Sequence, residues 1–270
     1  MILDGKKVSD EISKKLNISK NLKLAVILVG DNASSRVYVN MKKKKCEEFG
    51  ISCEIYEFLE KTKENDILKE ISMLNSDTSV TGILVQLPLP KHFDARKILD
   101  SVSPRKDVDG LNSVNMTKIL LGEEGIKPCT PKGVLSLLDA YGIKLEGKDV
   151  CVVGFSNTVG KPLATMCINR GATVTVCHVK TKDLGKHTSK ADILMTATGV
   201  PGLIKKDMVK QGAVVVDIGI SKIDGKILGD VDFEEVKDKC SFITSVPGGV
   251  GPMTVMMLIE NLVWLGNYAE

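Results

Sequence analysis

A chain of 270 residues, 43% apolar and 26% charged, has material for two interiors of moderate size and carries no signature of disorder. Its 37 Lys and Arg nearly balance 34 Asp and Glu, and the basic residues are scattered instead of striped, which argues against a nucleic-acid partner. Seven cysteines contain no Cys-x-x-Cys and the three histidines, His92, His178 and His187, lack ligand-like spacing, so neither a disulfide framework nor a metal site is expected.

At the N-terminus, Met1 to Lys6 lacks the apolar core of a signal peptide, and no apolar run anywhere approaches the roughly 20 residues of a membrane span. A cytoplasmic protein with no membrane partner is expected. Short β-branched runs then alternate with amphipathic stretches, the pattern of βα units around parallel sheets. Strands are expected over 24–29, 52–58 and 82–86, with helices over 34–49 and 64–75 between them. The basic run 42–45 falls in the first of these helices, where charge is usually a solvated face. The pattern changes near 122–127, and Thr130-Pro131 opens a new helix with proline in its first turn. Strands over 149–153, 173–177, 193–196 and 214–218 are nearly continuous apolar runs, expected to be covered on both faces. A last helix over 253–265 can pack back on the first half.

Strand Val150-Cys151-Val152-Val153 runs into Gly154-Phe155-Ser156-Asn157-Thr158-Val159-Gly160-Lys161-Pro162 and then into an apolar-periodic helix. That is the context of a dinucleotide-binding turn. Gly154 permits the tight turn, a small residue at Ser156 lets backbone approach a pyrophosphate, and Gly160 allows close packing with free N–H groups at the helix start. Taken alone the Gly-x-Ser-x-x-x-Gly string also suits an ordinary glycine turn. Where NAD enzymes place an acid for the ribose, this chain reads Cys177-His178-Val179-Lys180-Thr181-Lys182, without a carboxylate and with two lysines. NADP is favoured, although the lysines could equally be solvated loop charges.

Further motifs run in order along the chain: Ser35-Arg36-Val37-Tyr38-Val39-Asn40-Met41-Lys42, Val85-Gln86-Leu87-Pro88-Leu89-Pro90, Lys106-Asp107-Val108-Asp109-Gly110 and Pro128-Cys129-Thr130-Pro131-Lys132-Gly133. After these come the glycine turn, Asp217-Ile218-Gly219-Ile220, and Pro247-Gly248-Gly249-Val250-Gly251-Pro252-Met253-Thr254. From first helix to last, this ordered set resembles the methylenetetrahydrofolate dehydrogenase/cyclohydrolase family. The fold this implies is α/β: an N-terminal three-layer αβα catalytic domain over 1–126, completed by a C-terminal helix at 252–270, and a Rossmann-type doubly wound domain over 127–251, with a cleft between them. The implied activity is oxidation of 5,10-methylene-tetrahydrofolate to the methenyl form by hydride transfer to NADP, then hydrolysis to 10-formyl-tetrahydrofolate. A homodimer through the second domain is implied as well.

The resemblance also assigns roles. Lys42 manages the proton of hydrolysis, with Tyr38 one turn earlier on the same face. Spacing alone does not choose between Lys42 and Lys45; the family's Tyr-x-x-x-Lys pattern selects Lys42. Gln86 hydrogen-bonds Lys42 or the water, and Asp109 binds the amino-pyrimidine edge of the pterin, with Asp107 orienting its loop. Ser35, Gly249 and Pro252 contribute to the folate site. Phe155, Ser156, Gly154, Gly160, Lys180, Thr181 and Ile220 serve the cofactor, Ile220 through its backbone beside the nicotinamide. Many family members carry arginine where Phe155 stands and serine where Val179 stands, both associated with the 2′-phosphate, so Lys180 has to carry that contact and NAD stays open as a cofactor. A shikimate-type or amino-acid dehydrogenase would lack the motifs at 85–90 and 106–110. A non-catalytic nucleotide sensor would not need Tyr38, Lys42, Gln86 and Asp109 together.

Overall fold

The alternation legible in the sequence becomes βα units in the computed structural model, which describes residues 1–18 and 20–267. In chain order these are β1 (Ile2–Leu3), α1 (Gly5–Lys15), β2 (Lys23–Val29), α2 (Ala33–Glu48), β3 (Ser52–Phe58), α3 (Glu64–Ser76), β4 (Gly82–Val85), α4 (Ala95–Ser101), α5 (Ser113–Leu121) and α6 (Cys129–Ala140). There follow β5 (Asp149–Val153), α7 (Gly160–Ile168), β6 (Thr173–Cys177), α8 (Leu184–Thr188), β7 (Ile193–Thr196), β8 (Val214–Asp217), β9 (Ser221–Ile223), β10 (Lys226–Leu228), α9 (Phe233–Val236), β11 (Phe242–Thr244) and α10 (Val250–Asn267). None of the described helices is long and apolar enough to cross a membrane.

The chain divides into two units. One holds Lys15–Cys129 and the chain from Val255 onward. Its sheet has the order β3-β2-β4, with both pairings parallel. Because side chains alternate across a strand, Ala25, Ile27, Val29, Ile83 and Val85 share one face and pack with Ile67, Ile71 and Leu74 of α3 and Ile98 of α4. The opposite face receives α10: a Cβ at Gly82 would lie 2.6 Å from Leu262 Cδ1. Helix, sheet and helix thus form the three layers the sequence implied. Within α10, Met256, Met257, Leu258, Ile259, Leu262 and Leu265 are all buried, each contributing about 1.5–3 kcal/mol by leaving water.

The second unit holds Met1–Lys14 and Thr130–Thr254 around a six-stranded sheet of order β1-β11-β8-β7-β5-β6, parallel throughout. The order reverses at β5, whose neighbours β6 and β7 lie on opposite sides, so the carboxyl end of β5 is a topological switch point. Two expectations change here. Strand β6 is not covered on both faces: it is the last strand of the sheet, and Thr173 and Thr175 are exposed. The first residues pack with the second unit instead of the first, because Ile2 and Leu3 pair with Ile243 and Thr244. Gly5 is required at that junction, since a Cβ there would lie 1.8 Å from the Gly249 carbonyl oxygen.

Candidate active site

Helix α2 starts on Asn32, whose side-chain oxygen accepts from the Ser35 N–H at 2.9 Å, the usual N-cap bond. That start sets the helix phase, so Ser35, Val39, Lys42 and Cys46 fall on one buried face. Lys43 and Lys44 are exposed and Lys45 pairs with Glu48 at 2.9 Å, leaving Lys42 as the buried member of the basic run. Geometry therefore separates the two lysines that spacing left equivalent. Tyr38 is half-buried, and that burial raises its phenol above the ordinary range. The buried hydroxyl of Ser35 has no hydrogen-bond partner among the described residues.

Gln86 follows β4 and extends its ladder, donating its backbone N–H to the Ile27 carbonyl at 2.9 Å. Its Nε2 donates to the Leu87 carbonyl at 2.6 Å, which turns Oε1 toward Lys42 Nζ at 3.0 Å. A charge-assisted bond of this kind contributes about 1.5–3 kcal/mol, and it uses one of the three ammonium N–H donors. The remaining donors suit water or a substrate oxygen. Asp109 lies half-buried in a loop that is braced from several directions. The Asp107 carboxylate accepts from the Asn112 N–H and from Asn115 Nδ2, each at 2.8 Å. Burial pushes Asp107 above the usual carboxylate range against those bonds. Gly110 sits at φ +69°, and Asn261 of α10 donates to the Val108 and Lys127 carbonyls, both at 2.9 Å.

The glycine turn in the other unit is made of backbone. Gly154 has φ +119°, and a Cβ there would lie 2.4 Å from the Ala197 carbonyl oxygen; one at Gly160 would lie 2.1 Å from the Gly154 carbonyl oxygen. Such a side-chain-free cradle at the switch point fits a dinucleotide. The helix-start N–H groups are not free, however: Ser156 Oγ accepts from the Val159 N–H at 3.1 Å and the Gly160 N–H at 3.3 Å. The serine hydroxyl reaches forward to cap the turn, which a glycine at that place could not do.

Phe155 is half-exposed, with Lys161 Nζ 4.7 Å from its ring centroid and the His178 ring 6.1 Å away. After β6, the His178 N–H donates to Thr181 Oγ1 at 2.9 Å and the Thr181 N–H returns to the His178 carbonyl at 2.8 Å. This tight turn leaves Val179 and Lys180 exposed. Ile220 is also exposed, just beyond β8. Gly249 is buried against Thr244 and Ser245, where a Cβ would lie 2.7 Å from the Ser245 carbonyl oxygen. Pro252 lies in the first turn of α10, which begins at Val250 instead of the expected 253; proline is tolerated there because first-turn N–H groups have no intrahelical acceptor.

Lys42 and Gln86 are thus in direct contact, with Tyr38 and Ser35 on the same helix and Asp109 on a separate loop of the same unit. Gly154, Phe155, Ser156, Gly160, Lys180, Thr181, Ile220, Gly249 and Pro252 belong to the other unit. Sequence reasoning did not find Lys161 beside Phe155, the loop brace Asn261 or the buried Asp230, and it read Asp217 only as part of a motif, with no role. Among the described residues no group of three His, Cys, Asp or Glu side chains could hold a metal.

Comparison with known proteins gives two family matches: tetrahydrofolate dehydrogenase/cyclohydrolase, catalytic domain, over residues 3–109, and the NAD(P)-binding domain of the same family over 128–269. The bifunctional protein FolD of Campylobacter jejuni is 53% identical over 97% of this chain and 96% of its own length. A crystal structure of the bifunctional FolD enzyme from Campylobacter jejuni superimposes with a TM-score of 0.93 at 51% identity, covering 99% of this chain and 98% of that one. The Trypanosoma brucei methylenetetrahydrofolate dehydrogenase-cyclohydrolase, solved with NADP and an inhibitor, gives a TM-score of 0.94 at 33% identity over 99% of this chain and 97% of that one.

Proposed function

The chain belongs to the tetrahydrofolate dehydrogenase/cyclohydrolase family, and from that membership we infer a bifunctional enzyme that oxidises 5,10-methylene-tetrahydrofolate with NADP and hydrolyses the methenyl product to 10-formyl-tetrahydrofolate. A shikimate-type dehydrogenase and a non-catalytic sensor are set aside by matches that cover both halves of the chain. The observation that carries the hydrolytic half is the buried Lys42–Gln86 pair at 3.0 Å.

The two steps ask different things of the protein. Loss of hydride from the methylene carbon is driven by the folate nitrogens, so the residues around it have to align and desolvate, with no general base. The chemistry that NADP supplies when bound is acceptance of that hydride. Gly154 and Gly160 would give its pyrophosphate a close approach to backbone, with Ser156 capping the turn; Thr181 shapes the loop from which Lys180 would meet the 2′-phosphate, and the Ile220 backbone would hold the nicotinamide. Hydrolysis needs proton management: water adds to the methenyl carbon and loses one proton to solvent, and the remaining hydroxyl proton passes to a ring nitrogen as that nitrogen's bond to the carbon breaks and the carbonyl forms. Lys42 exchanges that proton, Gln86 holds its Nζ, and Tyr38 and Ser35 line the same helix face. Asp109 accepts from the amino-pyrimidine edge of the pterin.

By the same resemblance the protein acts as a homodimer in the cytoplasm, which light scattering and fractionation would check. The deciding experiment is titration with NADP and with NAD beside 5,10-methylene-tetrahydrofolate, following reduced cofactor and both folate products. Reduced NADP and 10-formyl-tetrahydrofolate should accumulate together. A purified sample indifferent to folates would overturn the reading.

A further inference from the structure

Neither step uses two acidic residues at the carboxyl end of the six-stranded sheet. Asp217 and Asp230 are 3% and 1% exposed, and no ion pair meets either among the described residues. Burying two carboxylates without a cation is costly, and an apolar or amide pair would serve the interior better. The hydrogen bonds show what the arrangement achieves. Asp217 Oδ1 accepts from the Gly219 N–H and the Asp230 N–H, both at 3.0 Å, and from the Thr196 hydroxyl at 3.3 Å, while Oδ2 accepts from the Val231 N–H at 2.9 Å. Asp230 Oδ2 accepts from the Thr198 N–H at 2.6 Å, and its Oδ1 is buried with no partner.

The glycines nearby are shaped around these carboxylates. A Cβ at Gly219 would lie 1.9 Å from Asp230 Oδ1, and one at Gly229 would lie 2.0 Å from Asp217 Oδ2. Three segments are therefore pinned by two side chains: 196–198 at the end of β7, 217–219 at the end of β8, and 229–231. Burial, with a further contribution from the Asp230 charge, holds Asp217 up at about 6 in spite of its backbone donors. A polar network kept at such a cost, ending one residue short of Ile220, is placed where backbone position matters most.

We propose that Asp217 and Asp230 are positioning residues for the dehydrogenase step, fixing the backbone of Thr198 and of Gly219–Ile220 where the nicotinamide of NADP seats. The inference rests on the proposed placement of the nicotinamide at Ile220. Hydride transfer is sensitive to alignment, and a displacement of about 1 Å costs roughly 100-fold in rate. Lys42 chemistry draws on the other unit, so damage to this network should spare hydrolysis.

The test uses the full chain with Asp230→Ala, Asp230→Asn and Gly219→Ala. Dehydrogenase kcat and the KM for NADP are measured beside cyclohydrolase activity on supplied methenyl-tetrahydrofolate. Asp230→Ala and Gly219→Ala should each lower dehydrogenase kcat/KM by roughly 30-fold or more, with cyclohydrolase activity within about twofold of the parent. Asp230→Asn should keep dehydrogenase activity within about threefold, because its amide oxygen can still accept from Thr198. Adding Asp230→Ala to Gly219→Ala should cost nothing further, since the clash is relieved. Equal loss of both activities, an unaffected dehydrogenase, or an Asn variant no better than Ala would overturn the proposal. Should Asp230→Ala fail to accumulate, Gly219→Ala decides. A parent enzyme without NADP-dependent folate oxidation would instead overturn the functional reading, a result distinguishable from all of these.

Discussion

At Lys42 one helix and one strand present two side chains that meet at 3.0 Å, whereas at Gly154 the surface offered is backbone, with side chains kept away by collisions of 2.4 Å and 2.1 Å. Under the proposed function, the difference matches what each place would have to supply. Water addition to a methenyl carbon needs a group of the protein's own that gives and takes a proton. A dinucleotide brings its own chemistry and needs only shape and N–H donors. One place should therefore be sensitive to side-chain identity, the other to the mere presence of a side chain.

Lys42→Met is the severest test of that contrast. It should lower cyclohydrolase activity by about 10²–10⁴, the usual contribution of a positioned proton-transfer group, and leave measurable reduction of NADP. Parallel loss of both activities would mean that Lys42 is structural. The dinucleotide half should show its own dependence on pH, through stability. The folded-state carboxyl of Asp217 is held at about 6 by burial, above its ordinary value of 3.8. A raised acid pKa favours the protonated folded state, so this contribution is fully present below about pH 4 and is lost as pH rises through about 6. The loss amounts to at most about 3 kcal/mol. Urea unfolding from pH 4 to 8 should show the parent falling behind Asp217→Asn by up to that amount; a pH-independent difference would refute it.

Gly154→Ala probes the backbone-built place directly. A φ of +119° together with a Cβ 2.4 Å from a carbonyl oxygen should cost about 1–3 kcal/mol. NADP affinity, followed by titration calorimetry, should fall roughly 10-fold to 100-fold, with hydrolysis of supplied methenyl-tetrahydrofolate within about twofold of the parent. An unchanged affinity would show that the turn does not hold the pyrophosphate.

What could be read in advance divides along a related line. Strands over 149–153, 173–177 and 193–196 match β5, β6 and β7 because apolar β-branched runs are local signals. Strand β1 was invisible: Ile2 and Leu3 have no periodicity, and their partner Ile243 lies at the far end of the chain. The start of α10 at Val250 was masked by a glycine- and proline-rich string that reads as loop. Residue types at the Lys42 place were legible through the family resemblance, but helix spacing left Lys45 as good a candidate until burial and the Glu48 pair separated them. The hydroxyl of Ser156 capping Val159 and Gly160, and Asn261 reaching back to Val108, depend on backbone paths that no spacing rule encodes.

The smallest expected effect concerns the cation proposed for the 2′-phosphate. Two lysines compete for that duty. Lys161 is already engaged, its Nζ 2.6 Å from Asn157 Oδ1 and 4.7 Å from the Phe155 ring centroid, so an arriving phosphate has to draw it from existing contacts. Lys180 is exposed on the turn after β6, where enzymes of this architecture meet the ribose, and its backbone alone is fixed, by the His178 ring. An exposed charge contributes little in water, so Lys180→Ala should lower the preference for NADP over NAD by only about fivefold, through NADP affinity and not through NAD affinity. The effect should shrink as salt is raised. Lys161→Ala made in parallel sharpens the assignment: a larger shift there than at Lys180, read as the ratio of the two dissociation constants, would move the contact from the loop after β6 to the first turn of α7.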